Sequence, residues 1–111
     1  GSPVYIVVRR GTEEIDALKG PIKTVAPLSP TTGDFWWEVN EETKVCTLKK
    51  YSGTAWVAVT AAADKQKLKY NWFKRNKNGE DDDAYDREGK VVYLSAADVD
   101  SIATLQCNVE Q

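Results

Sequence analysis

The sequence predicts an all-β fold, and three observations lead to this prediction. Apolar and polar side chains alternate from Leu68 to Phe73, which places Leu68, Tyr70 and Trp72 on one face of a half-buried strand. Between residues 34 and 60, three runs rich in β-branched and aromatic residues are separated by two turn signals. The end of the chain, Ile102–Val109, alternates again. We take Trp72 as the anchor of the predicted core.

The N-terminal third contains one predicted strand and two connecting segments. Gly1-Ser2 is expected to be an expression scar on a piece of a longer protein. Pro3–Arg9 is predicted to be an opening strand at a sheet edge, because it combines β-branched residues with proline and arginine. Thr12–Pro21 predicts either a short helical turn or a polar loop. The breakers in Pro27–Gly33 indicate an extended connection or a module boundary.

A tryptophan-rich meander is predicted next. Its three strands are Asp34–Val39, Lys44–Tyr51 and Thr54–Thr60, separated by turns at Asn40–Thr43 and Ser52–Gly53. Trp36, Trp37, Tyr51 and Trp56 are expected to crowd one corner of this sheet. Adjacent residues of a strand point to opposite faces, so at most one of Trp36 and Trp37 is expected in the core.

The C-terminal half predicts two more strands after the Trp72 strand. Asn76–Gly79 is a turn, and the charged segment Glu80–Gly89 is predicted to be a solvated loop. Lys90–Ser95 is a strand, and Ser95–Asp98 has the spacing of a capping box that starts one helical turn. In the last strand, the residues predicted to share one face are Ala103, Leu105, Cys107 and Val109.

Composition narrows the function classes. The chain has 111 residues, about the size of one domain, and a net charge of −2 with no basic stripe, so nucleic acid is not an expected partner. No apolar run approaches the roughly 20 residues that span a bilayer. Histidine is absent, which removes the commonest general base and zinc ligand. We therefore predict no enzyme, catalytic residue, metal or cofactor.

Cys46 and Cys107 leave two alternatives open, because they either pair or act as small buried hydrophobes. The carboxylates of Glu80–Glu88 suit calcium by type, but their spacing favours a solvated turn.

Three aromatic residues are candidate ligand contacts. Trp36, Tyr51 and Trp56 supply flat faces that stack on sugar rings, which predicts a carbohydrate platform. The competing interpretation is structural and places Trp37, Trp56 and Trp72 in the packing of the domain.

The meander resembles a known hairpin. Gly33-Asp34-Phe35-Trp36-Trp37, followed by Leu48-Lys49-Lys50-Tyr51-x-Gly53-x-x-Trp56, is similar to a hairpin of bacteriophage and prophage tail fibre and baseplate-associated proteins. The similarity covers about a third of the chain. Phe35 replaces the usual aliphatic residue, and the turn from Asn40 to Lys44 is longer than in that pattern.

The second half resembles an immunoglobulin-like domain. Tyr70-x-Trp72, then Val92-x-Leu94, then Asp98-Val99 and Ala103-x-Leu105-x-Cys107-x-Val109, are similar to strands C to F of that family. The resemblance implies a β-sandwich with Trp72 as core tryptophan and Cys107 at the strand F cysteine. Leu105 replaces the family's tyrosine. The strand B cysteine is missing, which implies no inter-sheet disulfide and Ala58 as a small core residue.

Together, the two resemblances imply an immunoglobulin-like β-sandwich with a tryptophan-rich meander. We expect residues 3–62 to form the first strands and meander, and residues 63–111 the C-to-F portion, within one domain. The predicted core comprises Ile6, Val8, Trp37, Val57, Tyr70, Trp72, Val92, Leu94, Leu105 and Cys107.

The resemblances also imply a function. This is a non-enzymatic structural or adhesion module of a phage tail-associated protein, located in the virion or at a cell surface. Its expected partners are other subunits or domains of that protein and a host surface glycan. The alternative is a carbohydrate-binding accessory module of a secreted bacterial protein.

Overall fold

The structure is a computed structural model that describes residues 1–83, 85 and 87–111. Within these residues it consists of eleven β-strands, a 3-10 helix and one α-helix. In chain order the elements are β1 (Ser2–Tyr5), β2 (Val8–Arg10), β3 (Glu13–Ile15), β4 (Ile22–Lys23), β5 (Phe35–Asn40), β6 (Val45–Tyr51), β7 (Trp56–Ala58), the 3-10 helix (Ala62–Asp64), β8 (Lys69–Asn76), β9 (Arg87–Glu88), β10 (Val91–Leu94), α1 (Ala96–Ser101) and β11 (Ile102–Glu110). The predicted all-β class is confirmed.

Two sheets share one apolar core, which we call the sandwich core. β1 pairs antiparallel with β10, while β8 lies between β11 and β9 in a three-stranded antiparallel sheet. The core residues are Tyr70, Trp72, Tyr85, Val92 and Leu94. Trp72 is directly opposite Cys107 in register, and its indole nitrogen donates a hydrogen bond to the Gly89 carbonyl at 2.8 Å. Trp72, the predicted anchor of the core, is therefore buried, and its indole nitrogen has a hydrogen-bond partner.

The second core, which we call the meander core, lies on the four-stranded sheet β4-β5-β6-β7. Trp37, Leu48 and Val91 are its buried members. Val91 comes from β10, the strand that also supplies Val92 and Leu94 to the sandwich core. All four residues of β10 are buried, so this strand is shared between the two cores.

Several local predictions are confirmed. The meander has the expected three antiparallel strands, and β8 buries Tyr70 and Trp72 while Phe73 is exposed. Ser95 caps α1: its hydroxyl accepts a hydrogen bond from the Asp98 amide, and the Asp98 carboxylate accepts one from the Ser95 amide. Both cysteines are free and half-buried, so the expected absence of an inter-sheet disulfide is confirmed.

The N-terminal predictions need correction. The strand expected over Pro3–Arg9 is interrupted after Tyr5, and β1 and β2 pair with different partners. Of the two alternatives for Thr12–Pro21, the helical turn is wrong, because β3 forms a hairpin with β2 there, and the rest of the segment is a loop. Gly11, at φ 62°, lies in the connecting turn, a backbone conformation that glycine adopts without strain. The backbone hydrogen bonds of this segment therefore join β2 to β3 and do not form a helical turn.

Burial differs from prediction at both faces of the meander. Val57 is 53% exposed and Ala58 is also exposed, because β7 is a three-residue edge strand with little packed on it. Both were predicted in the core. Trp36 and Trp37 are both buried, against the expectation of at most one. They do point to opposite faces, but each face of β5 is covered.

Two C-terminal predictions are also wrong. Ala103 is exposed rather than aligned with Leu105, Cys107 and Val109, because the β8–β11 register shifts between Ile102 and Thr104. The segment Glu80–Gly89 is not simply a solvated loop, since it contains β9 and the buried Tyr85. Residues 84 and 86 of that segment lie outside the described residues.

Candidate functional site

The three predicted platform residues form a cluster with rings at steep angles. Tyr51 at the end of β6 pairs in register with Trp56 at the start of β7, and Trp36 lies on the adjacent β5. The Tyr51 and Trp56 rings are 5.2 Å apart and inclined at 61°, and the Trp36 and Trp56 rings are 5.6 Å apart at 68°. These are edge-to-face contacts. The three rings therefore do not form a flat strip on which a sugar would lie.

Trp36 is held from several sides. It is 4% exposed, its indole nitrogen donates a hydrogen bond to the Lys23 carbonyl at 3.0 Å, and the Lys49 ammonium lies 5.6 Å from its ring centroid. Lys49 in turn pairs with Glu38 at 3.0 Å. The ring thus packs beneath its neighbours, whereas Tyr51 and Trp56 are half-buried. A ligand role for the three residues stays a prediction.

Tyr51 also borders an opening in the meander sheet. A cleft of about 480 Å³ is lined by Tyr51, by Lys50 and by the segment that follows β7. Lys50 is bound across it to Asp64, with 3.1 Å between ammonium and carboxylate. The charged groups of this cleft are therefore already paired with each other.

A larger cleft lies at β8 and β11, and we call it the Phe73 cleft. Its volume is about 700 Å³, within the range of small-molecule sites. Phe73, which is 50% exposed, lines it together with Arg75, with Gln106 and Asn108 from β11, and with the loop at Asp81–Asp83. Sequence alternation already indicated an exposed Phe73. The return of the acidic loop beside it was not visible in the sequence.

Ion pairs hold the loop at the edge of the Phe73 cleft. Arg75 and Asp81 form an isolated β-bridge, and their side chains pair at 3.1 Å. The buried Lys74 ammonium lies 3.2 Å from Asp82 and 3.6 Å from Asp98 at the helix N-terminus. These contacts fix three carboxylates, two from the acidic loop and one from α1, around one end of β8.

Three residues that line the Phe73 cleft have a polar atom without a protein partner among the described residues. The Gln106 amide nitrogen donates to the Asn108 side-chain oxygen at 3.0 Å, which leaves the Gln106 oxygen and the Asn108 nitrogen without a protein partner among the described residues. Tyr85, which is 5% exposed, has a buried hydroxyl with no hydrogen-bond partner in the described structure. Burial raises the pKa of Tyr85, so its hydroxyl is a neutral donor.

A buried polar chain lies elsewhere, between the sandwich core and the end of β3. The Lys90 ammonium donates to the Tyr70 hydroxyl at 3.2 Å, and that hydroxyl donates to the Asp16 carboxylate at 2.7 Å. Lys90 is 1% exposed, and burial lowers its pKa although Asp16 and Glu14 act in the opposite direction. This burial indicates that the chain of groups stabilises the fold rather than binding a ligand.

Within residues 1–83, 85 and 87–111, no group of three or more histidine, cysteine, aspartate or glutamate side chains is arranged to hold a metal ion. In the same part of the chain, no helix is long and apolar enough to cross a membrane. No protein-family model, curated protein or solved structure matches this chain.

Proposed function

We propose that this chain is a non-catalytic structural and adhesion module of a phage or prophage tail-associated protein. In this role it spaces or displays the parts of that protein that bind the host surface, in the virion or at the cell surface. The proposal combines the two sequence resemblances with the shape and internal bracing of the molecule.

An immunoglobulin-like sandwich is part of this proposal. β8 and β11 pair antiparallel with Trp72 opposite Cys107, as the resemblance implies for strands C and F. The opposing pair β1–β10 contributes Val4, Val92 and Leu94 to the same core. Two sheets around one buried tryptophan support this architecture.

The observation that carries the spacer role is an elongated body with internal bracing. The molecule measures 48 × 36 × 22 Å, and its radius of gyration is 15.2 Å. A compact chain of this length has a radius of gyration of about 13 Å. The two cores along this body are joined by β10 and by the hydrogen bonds of Asp16 to the segment before β8. A braced, elongated unit suits the task of holding other parts at a distance.

The burial and packing of the tryptophans also support the spacer role. Trp36, Trp37 and Trp72 are buried, and Trp56 makes edge-to-face contacts with Trp36 and Tyr51. Most of the aromatic surface that suggested a carbohydrate platform is therefore used in internal packing. This favours a spacer over an accessory module that binds polysaccharide through these rings.

An immunological experiment tests the tail proposal. Antibodies raised against the 111-residue chain should decorate the tails of particles released after prophage induction in the source bacterium. In the parent protein, replacement of this segment by an unrelated β-domain of similar length separates the two parts of the role: preserved adsorption to the host shows a spacer, and lost adsorption shows an adhesive surface on this chain. Unlabelled tails, with the antigen recovered only as a free secreted protein, would reject the proposal.

Tryptophan fluorescence separates the spacer from the carbohydrate-binding alternative. The spacer predicts no change in emission when bacterial cell-wall polysaccharide is added. A saturable shift that disappears in Trp56→Phe would instead support the platform of Trp36, Tyr51 and Trp56. Trp72→Phe is the matched control, because Trp72 is buried in the other core.

A further inference from the structure

The Phe73 cleft combines an apolar ring with neutral polar groups. Phe73 is directly opposite Gln106 in the β8–β11 register, and Asn108 lies two residues further along β11. The exposed half of the ring is therefore bordered by an amide oxygen that accepts and an amide nitrogen that donates. A ligand with an apolar face and hydroxyl groups around its rim would match this arrangement.

Tyr85 contributes a buried side chain to the wall of the Phe73 cleft. A buried hydroxyl without a partner costs on the order of 1–3 kcal/mol of stability, so such groups are uncommon in folded proteins. The side chain of Tyr85 lines the Phe73 cleft, and its hydroxyl has no partner among the described residues. Because that hydroxyl is shielded from solvent, the part of Tyr85 that the cleft exposes is not its hydroxyl, and Tyr85 serves as part of the cleft wall.

The charges of the cleft select the class of ligand. Two cations, Lys74 and Arg75, face three carboxylates, Asp81, Asp82 and Asp83, so the cleft has a formal charge of −1. Ion pairs already engage both cations, which disfavours a phosphate or another anion. β8 pairs with β11 along this stretch, and Phe73 lies opposite Gln106, so we expect recognition next to Phe73 to depend on side chains. These features suit an uncharged, hydroxyl-rich ring.

We infer that the Phe73 cleft binds a neutral saccharide, with the Phe73 ring against the apolar face of a pyranose and with Gln106, Asn108 and Asp83 on its hydroxyls. This site is separate from the Trp36, Tyr51 and Trp56 cluster. It goes beyond the proposed spacer function, which does not require it.

Nuclear magnetic resonance on the full chain tests the inference directly. The ¹⁵N-labelled protein is titrated with cellotetraose and, separately, with chitotetraose, each up to about 10 mM, a range that detects weak binding. Binding in the cleft should shift the side-chain NH₂ signals of Gln106 and Asn108 and the backbone amide of Phe73. In Phe73→Ala the affinity should fall about tenfold, because stacking on the ring is lost.

A matched control and a stability measurement keep the test decisive. Tyr5 is 44% exposed on β1 and does not line the cleft, so Tyr5→Ala should bind as the wild type does. Phe73→Ala should keep the wild-type melting temperature within a few degrees, which separates loss of the site from loss of the fold. No shift with either saccharide, or shifts confined to the meander tryptophans, would overturn the inference. Neither result would alter the labelling of tails by antibody, so the two proposals fail separately.

Discussion

Asp16 joins segments that lie far apart in the chain. Its carboxylate accepts hydrogen bonds from the Lys67 and Leu68 backbone amides and from the Tyr70 hydroxyl. Its own backbone is at φ 54°, which aspartate and asparagine tolerate better than most residues. Asp16→Asn keeps this conformation but presents an NH₂ group to some of the same donors. We expect a loss of about 1–3 kcal/mol in the free energy of unfolding, measured with urea at pH 7.

The same residue predicts a dependence of stability on pH. Burial alone would raise the pKa of Asp16, but hydrogen bonds from Lys67, Tyr70, Leu68 and Gln66 together lower it below 3.8. A lowered pKa in the folded state gives stability that is complete above pH 3.8 and is lost as the pH falls below it. The wild type should therefore lose more stability than Asp16→Asn on acidification. Asp100→Asn, at an exposed helical position, is the control and should follow the wild type; equal acid sensitivity in Asp16→Asn would contradict this prediction.

Tyr70 and Lys90 are expected to be energetically coupled. Tyr70→Phe removes the hydroxyl between Lys90 and Asp16 and leaves a buried ammonium without its hydrogen bond. We expect this change to destabilise the wild type by about 1–3 kcal/mol. In a Lys90→Met background the same change should cost less, because no buried ammonium remains. Urea unfolding of the four proteins measures the coupling, and additive effects would show that Lys90 does not depend on Tyr70.

Local periodicity predicted which side chains each strand directs to either face of its sheet. It did not predict which other elements pack on those faces. The alternation in β8 correctly predicted that Tyr70 and Trp72 are buried and that Phe73 is exposed. Successive side chains of a strand point to opposite faces, so this direction depends on the strand alone. Alternation also placed Trp36 and Trp37 on opposite faces. It could not show that both faces of β5 are covered, since the covering groups come from other strands.

The hairpin β2–β3 and the Phe73 cleft illustrate the same limit. Thr12-Glu13-Glu14 has local features of a helix start, but pairing with β2 across the Gly11 turn satisfies the backbone instead. The cleft depends on the bridge between Arg75 and Asp81, which brings a charged loop beside an exposed ring. Nothing in the spacing of the acidic residues indicated this contact.

The meander tryptophans should differ in their contribution to stability. Trp36→Ala removes a buried ring that packs on Trp56, and we expect a loss of about 3–5 kcal/mol in the free energy of unfolding. Trp56→Ala should cost less, because that ring is half-buried on a short edge strand. Urea unfolding monitored by far-ultraviolet circular dichroism checks both variants. A stable Trp36→Ala protein would show that the ring is not needed for packing and would reopen a ligand role.

At the scale of the whole molecule, the two predicted regions share structure. Residues 3–62 contain most of the meander core and residues 63–111 most of the sandwich core, yet β10 supplies buried residues to both. Further links cross the same boundary: the Tyr93 hydroxyl donates to Glu41 at 3.1 Å, and the Lys19 amide donates to the Gln66 side chain at 2.9 Å. Sequence similarity divided the chain into two parts, but it could not show that one strand serves both.

This sharing predicts that the chain unfolds in one cooperative step. Trp36, Trp37 and Trp56 report on the meander region and Trp72 on the sandwich core, so Trp72→Phe leaves a fluorescence signal from the meander region alone. Its urea transition should coincide with the loss of circular dichroism from the whole chain. Val91→Ala leaves a cavity where the cores meet and should lower both midpoints together. Val99→Ala, at an exposed position of α1, is the control, and a fluorescence midpoint well separated from the dichroism midpoint would show that the two regions fold independently.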